Sequence, residues 1–440
     1  MSICPECNQK YNRVWCKPCN SKHFQNDFNN WTSENDKIDK LIQDAQLNAD
    51  SYWEVIEWIP FDRFKDVKQI GKGGFGTIHY ARWIDGDIEE WDIENQQWKR
   101  YREGVEVALK KFDNFVNFND ILNEMEIHLK TYTKHNVSIK FYGITQDPET
   151  LSYMMVLRYA KDGNLREYLK INFNNINWEH KLDNLYYLSE NLKNIHKLDI
   201  VHQDFHPGNI LSYNFENPTL MYISDFGLSK LMGANPNNPE KKNIFGVLPY
   251  IAPEVLSGEE YTKAADVYSY GIIAYEIVTG FPPYPDIPHD KDLAIKICNG
   301  LRPKIPFHTP KFITRIIMRC WDARVTHRPT FNELYNELLK YLSDYNNYLR
   351  EGKNKDSEIV IQIKKAEEFL ANQESSNTTT TTPLNYQTHP QAIYTSRLLN
   401  YSKLSKPKNE ENFERKLEEL TESMSLENNN KENIIYHEID

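Results

Sequence analysis

The sequence predicts an α+β protein, and three observations carry that expectation. Extended runs rich in β-branched and aromatic residues flank a glycine-rich turn over positions 64–83, an alternating run follows at 105–111, and a helical pattern begins near Asp120. Phe64 to Ile70 reads as the strand entering Gly71-Lys72-Gly73-Gly74-Phe75-Gly76, and Thr77-Ile78-His79-Tyr80-Ala81-Arg82-Trp83 as the strand leaving it. A dinucleotide-binding turn would start a helix at its third glycine. The strand formers found there predict a glycine-rich hairpin instead, in which Gly71, Gly73 and Gly76 let backbone N–H groups approach phosphate oxygens without Cβ obstruction. In Val105-Glu106-Val107-Ala108-Leu109-Lys110-Lys111, alternation puts the two lysines on opposite faces. Lys110 is the ammonium expected to meet phosphates and Lys111 the one expected in solvent. An aimed lysine needs a carboxylate to fix it. The helix expected over Asp120 to Tyr132 offers Glu124 or Glu126, and Glu124 is preferred because Ile121, Met125 and His128 share its inward face.

The densest chemistry lies in His202-Gln203-Asp204-Phe205-His206-Pro207-Gly208-Asn209 and in Asp225-Phe226-Gly227, which begins sixteen residues after Asn209. That order and spacing suits phosphoryl transfer. One carboxylate, Asp204, would accept the proton of an incoming hydroxyl, while an amide oxygen and a second carboxylate, Asn209 and Asp225, would hold Mg2+ on the phosphates of ATP. An isolated Asp-Phe-Gly is a common polar turn and carries little by itself.

Together these residues resemble those of a eukaryotic-type protein kinase, over about Phe61 to Tyr345. Ala252-Pro253-Glu254 is similar to the end of that family's activation segment, and Asp266-Val267-Tyr268-Ser269-Tyr270-Gly271 to the start of its buried helix, which carries an anchoring aspartate. Arg328 is similar to the arginine that pairs with Glu254. The resemblance implies a bilobal protein kinase fold. A small, mainly antiparallel β lobe with one helix would run from about Phe61 to Met155, and a larger, mainly helical lobe from about Asp162 to Tyr345. ATP and Mg2+ would bind between them, with Val156 to Ala160 as the connecting strand. Around the nucleotide and metal the resemblance implies Gly71, Gly73, Gly74, Phe75, Gly76, Ile78, Ala108, Lys110, Leu157 at the gatekeeper position, Arg158, Ala160, Asn209, Leu211 and Asp225. Arg158 stands where a glutamate is usual, and nothing in the sequence accounts for that change.

Other departures bear on regulation and substrate. Gln203 replaces the arginine that, in the family, pairs with a phosphorylated activation-loop residue. Between Asp225 and Glu254 the only hydroxyl side chains are Ser229 and Tyr250, both near the ends. Receptor and ligand of the phospho-switch are missing together, so activity is expected without activation-loop phosphorylation. His206 takes the place of the lysine that steadies the γ-phosphate in serine/threonine kinases, and an imidazole is fully charged only below about pH 6.5. His206-Pro207-Gly208 and Tyr250-Ile251 depart from tyrosine-kinase patterns and favour Ser and Thr acceptors, whereas Val247 stands where the serine/threonine pattern has a threonine. Cys320-Trp321-Asp322 and Phe281-Pro282-Pro283-Tyr284 resemble the tyrosine-kinase-like group, most of whose members act on Ser and Thr. A dual-specificity or tyrosine kinase stays open. So does a pseudokinase scaffold, although a silent fold would not require Lys110, Asp204, Asn209 and Asp225.

At the start of the chain, Cys4-Pro5-Glu6-Cys7 and Cys16-Lys17-Pro18-Cys19 form two Cys-x-x-Cys knuckles eight residues apart. Four thiolates so spaced can wrap a tetrahedral Zn2+; free thiols in a disordered arm are the alternative. Cys298 and Cys320, the remaining two cysteines, read as helix-core residues. The basic residues near the ribbon (Lys10, Arg13, Lys17, Lys22) are few, so a structural or protein-docking role is expected over nucleic-acid binding. Residues 1–24 thus form a zinc-ribbon segment, 25–60 a helical connector packed on the small lobe, 61–345 the kinase domain and 346–440 a mostly disordered tail. Phe28, Trp31, Ile38, Leu41 and Ile42 are the connector's apolar positions. Thirty-four positions separate Gly76 from Lys110, more than is usual in the family. The excess, about Asp85 to Gly104, reads as a hairpin whose Trp91, Trp98 and Tyr101 either dock a partner or pack on the small lobe. The tail holds a threonine run from Thr378 to Thr382, short helices expected at Ile359–Ala371 and Asn412–Met424, and one apolar island, Ala392 to Leu399. That island is read as a docking motif, an autophosphorylation site or a sticky patch. A net charge of −11 argues against a general nucleic-acid or anionic-membrane binder, and no apolar run reaches the roughly 20 residues of a membrane span. A soluble, cytoplasmic protein acting on protein substrates is the expectation.

Overall fold

The computed structural model describes residues 2–11, 15–73, 76–101, 103–113, 117–231, 244–375, 387–401 and 404–422. Gly74 and Phe75 of the glycine-rich turn, positions 232–243 and the threonine run Thr378–Thr382 lie outside the described residues. The chain divides into two compact units: Met1–Lys161 with Tyr222–Gly227, and Asp162–Met221 with Leu228–Asp440.

The first unit is built on a six-stranded sheet in the order Glu57–Trp58, Phe141–Gln146, Tyr153–Arg158, Val105–Phe112, Gly76–Trp83, Phe64–Lys72. Neighbours are antiparallel except the edge strand Glu57–Trp58, which runs parallel to Phe141–Gln146. Period-two alternation sorts the side chains into two faces. Phe64, Ala81, Trp83, Val107, Leu109, Tyr142, Met154 and Val156 form a buried apolar cluster with Ile59. On the opposite face the register sets Lys110 between Ile78 and Met155, and Ala108 between Tyr80 and Leu157. Lys111 takes the face that alternation requires, but it is not in solvent. Its ammonium reaches Asp147 at 2.5 Å in a largely buried pair. Burial raises the Asp147 carboxyl, yet the hydrogen bonds from Lys111, the Glu149 N–H and Thr150, with the charge of Lys111, together outweigh it and hold the group at about 2. A charge-assisted hydrogen bond offsets the desolvation of both partners.

Helix Phe118–His135 is capped at its start by the Asn117 side chain, which accepts from the Asn119 N–H, and ends on Asn136 in the left-handed region. It buries Ile121, Leu122, Glu124, Met125, Ile127 and His128, while Glu126 is exposed. Helix Lys17–Asp27 runs out of the cysteine segment, and helix Asp36–Asn48 lies within the connector. The break between them is local hydrogen-bond chemistry: Asn35 caps the second helix, and Asp39 turns back to accept from the Ser33 N–H at 2.7 Å and the Thr32 hydroxyl at 2.7 Å. The second helix buries Ile38 and Ile42. Gln46 donates to the Ile56 carbonyl at 3.0 Å and the Tyr153 hydroxyl to Ser33 at 2.9 Å, so the connector packs on the sheet. The long insert is the expected hairpin, Asp87–Asp92 paired with Gln97–Tyr101. Its tryptophans are covered by the amino-terminal segment: Trp98 stacks on Phe24 at 4.3 Å and Trp91 on His23 at 4.0 Å. Tyr101 remains 42% exposed.

The second unit is mainly helical. Helix Lys263–Thr279 is buried on every side from Ala265 onward, and Gly271 lets it cross helix Lys311–Cys320 closely, since a Cβ there would meet that of Cys320 at 2.7 Å. Cys298 and Cys320 are both fully buried. Glu254 and Arg328 form a buried two-pronged pair at 2.6 and 2.7 Å. In the tail, a helix spans Glu358–Ser375 and buries Ile359, Val360 and Ile363. A further helix covers 413–422, and Met424 lies outside the described residues. Between them strand Arg397–Leu399 pairs antiparallel with Ile244–Gly246. No helix among the described residues is long and apolar enough to cross a membrane.

Candidate active site

The first unit gathers Lys110, Glu124 and Asp225. Lys110 ends its alternating strand on the face away from the apolar cluster, and helix Phe118–His135 offers Glu124 from its buried side. The Lys110 ammonium donates to the Glu124 carboxylate and, at 2.9 Å, to Asp225 Oδ1. Burial by itself would lower the lysine, but the carboxylates of Asp225 and Glu124 outweigh it and hold the ammonium above its ordinary value. The segment bearing Asp225 is tied to this unit through the Ile223 N–H, which donates to Val137 at 2.9 Å, and through Phe226, fully buried edge-on against His128 at 5.6 Å. Asp225 itself sits at φ 62°. A non-glycine residue in the left-handed region is held there by its surroundings at a cost, and such positions cluster at functional sites. Gly71 and Gly73 flank the outer end of the glycine hairpin. Gly76 lies against the lysine strand so tightly that a Cβ would fall 2.0 Å from the Lys111 carbonyl oxygen. Ile78, Ala108 and Leu157 share the Lys110 face, Arg158 closes its strand with an N–H donated to Lys140 at 2.9 Å, and Ala160 follows half-buried.

The second unit gathers Asp204, His206 and Asn209. Their loop is anchored from below by Asp266, fully buried, whose carboxylate accepts the N–H of His202 at 3.0 Å and of Gln203 at 3.2 Å. Gln203 turns through φ 68°. His206 then caps the single turn Pro207–Asn209, its Nδ1 accepting the Gly208 N–H at 3.1 Å. Nδ1 is therefore the acceptor, and Nε2 carries the proton in the neutral ring. Asn209 donates its amide nitrogen to the Asp204 carbonyl at 2.9 Å, and Leu211 follows in a bridge to Asn164. Asp204 is buried, and its Oδ2 accepts the hydroxyl proton of Ser396, 192 positions away in sequence. His206 Nε2 lies 3.2 Å from Ser396 Oγ. Ser396 is the residue at Asp204 and His206 that sequence reasoning did not single out. The apolar island around it was visible, but three hydroxyl residues stand there in a row, Tyr394, Thr395 and Ser396, and nothing in their order says which meets Asp204.

Asn209 and Asp225 offer an amide and a carboxylate, the oxygen donors that a hard cation such as Mg2+ prefers. The amino-terminal cysteines of the first unit offer sulfur donors instead. The Sγ atoms of Cys4, Cys7, Cys16 and Cys19 all fall within 4.8 Å of one another, with Cys4–Cys19 at 3.7 Å and Cys7–Cys16 at 3.6 Å. A regular tetrahedron with Zn–S bonds of about 2.3 Å has edges of about 3.8 Å, so the thiols are spaced for Zn2+. All four are free, and a disulfide's sulfurs would stand at about 2 Å.

Comparison with known proteins agrees with this geometry. Residues 64–338 match the family described as protein tyrosine and serine/threonine kinase. Tyrosine-protein kinase SPK-1 of Girardia tigrina is 28% identical over 283 residues, 62% of this chain and 52% of that protein. In Dictyostelium discoideum, the probable serine/threonine-protein kinase roco5 is 29% identical over 62% of this chain and 9% of its own length, and the dual specificity protein kinase splA 27% identical over 63% and 11%. The chain thus spans about half the length of the first relative and about a tenth of the other two. The relatives' names divide among three hydroxyl specificities, so they decide none. With a match covering well over half its residues, the chain belongs to the protein tyrosine and serine/threonine kinase family.

Proposed function

We propose that this protein is an ATP- and Mg2+-dependent kinase that phosphorylates serine and threonine hydroxyls of proteins, through a kinase domain over about residues 61–345. The observation that carries the hydroxyl preference is the seat of Ser396 Oγ on Asp204. The backbone is held from the next residue onward by the ladder of Arg397–Leu399 on Ile244–Gly246, and a serine oxygen stands one bond beyond Cβ. A tyrosine oxygen stands roughly 4 Å farther from its Cα, so a tyrosine on the same backbone would overshoot Asp204.

In this reading Asp204 accepts the hydroxyl proton as the oxygen attacks, and the Nε2–H of His206 steadies that oxygen. Lys110, held by Glu124, orients the phosphates. Asn209 and Asp225 hold Mg2+, whose charge offsets the charge developing on the phosphoryl group. Ordinary burial supports independence from activation-loop phosphorylation. Ser229 is 1% exposed and donates to the His202 carbonyl at 3.0 Å, and Tyr250 is 2% exposed. Neither hydroxyl is presented for modification, and Gln203 offers no cation to receive a phosphate. The four amino-terminal cysteines hold one structural Zn2+.

Transfer from γ-labelled ATP to degenerate peptides with Ser, Thr or Tyr acceptors tests this reading. Label is expected on the Ser and Thr sets with Mg2+ present, undiminished after phosphatase treatment of the enzyme, and absent with Asp204→Ala. Label confined to tyrosine peptides would reverse the preference. No transfer to any peptide or protein would end the kinase reading.

A further inference from the structure

The tail segment that reaches Asp204 is seated on the second unit by independent contacts. Arg397–Leu399 adds a strand to Ile244–Gly246, with Gly246 opposite Arg397. Gly246 takes φ 139°, and a Cβ there would press on Asp204 Oδ1 at 3.3 Å, so a bare glycine is what allows strand and carboxylate to meet. On the other side of Ser396, the Tyr394 carbonyl accepts from Arg166 at 3.0 Å, and the Tyr394 hydroxyl donates to Pro283 at 2.9 Å. Backbone pairing after Ser396 and side-chain anchoring before it fix the register from both ends. Extended backbone turns successive side chains to opposite sides. Thr395 is accordingly exposed, and the Tyr394 hydroxyl is spent on Pro283. Ser396 alone of the three meets the carboxylate, as donor to Asp204 and, given the His206 tautomer, as acceptor from Nε2–H.

We propose that Ser396 is a phosphoacceptor of this chain's own site, modified in cis. The proposal rests on the kinase reading above and names one substrate of it. The Ser396 O–H proton passes to Asp204, and the Oγ lone pair forms the new bond to the γ-phosphorus of ATP. The bond from that phosphorus to the β,γ-bridging oxygen breaks, and its electron pair leaves with ADP. A tethered acceptor needs no encounter, because its effective concentration is set by the chain, on the order of millimolar, and not by how much protein is in solution.

The test uses the full chain, stripped of phosphate and then given ATP and Mg2+, with casein in the same reaction as an outside acceptor. Sites are mapped by mass spectrometry at successive times. Ser396 is expected as the earliest site, and its rate per molecule is expected to hold constant when the protein is diluted about a hundredfold. Mixed with wild type, a tagged Asp204→Asn chain is expected to stay unmodified at Ser396, and Ser396→Ala is expected to lose the early phosphate. Casein labelled while Ser396 stays blank would overturn the proposal and leave the kinase reading standing. A rate that falls with dilution, or phosphate on Ser396 of the Asp204→Asn chain, would overturn the cis assignment. Neither acceptor labelled would overturn the kinase reading itself.

Discussion

Asp204 and His206 touch one hydroxyl from two sides, and because His206 Nε2 already carries hydrogen, the carboxylate is the group of the two that can take the hydroxyl proton. Asp204→Asn keeps the shape and removes the base. Its kcat for peptide phosphorylation is expected to fall about 10²–10⁴-fold, with little change in the thermal midpoint, in a labelled-phosphate assay run beside a melting curve. His128 makes a prediction about stability. It is buried against Phe226, its Nε2 lies 2.7 Å from the Ile139 carbonyl oxygen, and burial pulls its imidazole down to about 4. An unfolded chain takes up this proton from about pH 6.5 downward, whereas the folded one resists until about 4. The contribution of His128 is therefore fully present above about pH 6.5 and lost as pH falls toward 4, at about 1.4 kcal/mol per pH unit. Urea unfolding followed across that window should show a steeper loss for wild type than for His128→Phe. Equal slopes would mean that His128 is not held neutral.

Single elements depend on residues that close distances the chain cannot close locally. Arg328 Nη1 and Nη2 grip Glu254 across 74 positions, and Nε donates to the Asp322 carbonyl at 2.8 Å. The pair ties the segment ending at Glu254 to the start of helix Phe331–Glu351. Arg328→Ala leaves Glu254 charged and buried without its partner, and a loss of about 3–5 kcal/mol is expected in urea unfolding. A loss below about 1 kcal/mol would show that the carboxylate finds water or another cation. The sequence identified this pair through motif resemblance. It did not identify the pair of Lys111 and Asp147, because no local pattern links a strand lysine to a loop aspartate 36 positions on.

At the scale of the molecule, the amino-terminal cysteines and the long insert are parts of one packing problem. Trp15, Phe24, Ala49, Val55 and Ile88 form a buried cluster joined by Trp98, so the insert's apolar face is covered by the segment that the cysteines organise. One Zn2+ per chain is expected by metal analysis. Its removal with a strong chelator should expose Trp15, Trp91 and Trp98, seen as a red shift in tryptophan emission. Structural zinc contributes about 10–16 kcal/mol to the folding of small domains, far more than this cluster could replace. Cys4→Ser should reproduce the shift without chelator. Emission unchanged by metal removal would mean that the thiols pack without an ion.

The sequence by itself determined the α+β class and the strand and helix that bring Lys110 toward Glu124, and it singled out Asp204, Asn209 and Asp225 as candidates. Each of these is written in side-chain periodicity or in residue types at fixed short spacing, where the backbone's own geometry does the placing. Tertiary structure alone decided that Lys111 pairs with Asp147, that the insert's tryptophans turn onto the amino-terminal segment, and that Ser396 rather than Thr395 or Tyr394 meets Asp204. Those outcomes depend on register and rotation between segments tens to hundreds of positions apart. Many pairings satisfy the same local pattern, and only the packed whole removes all but one.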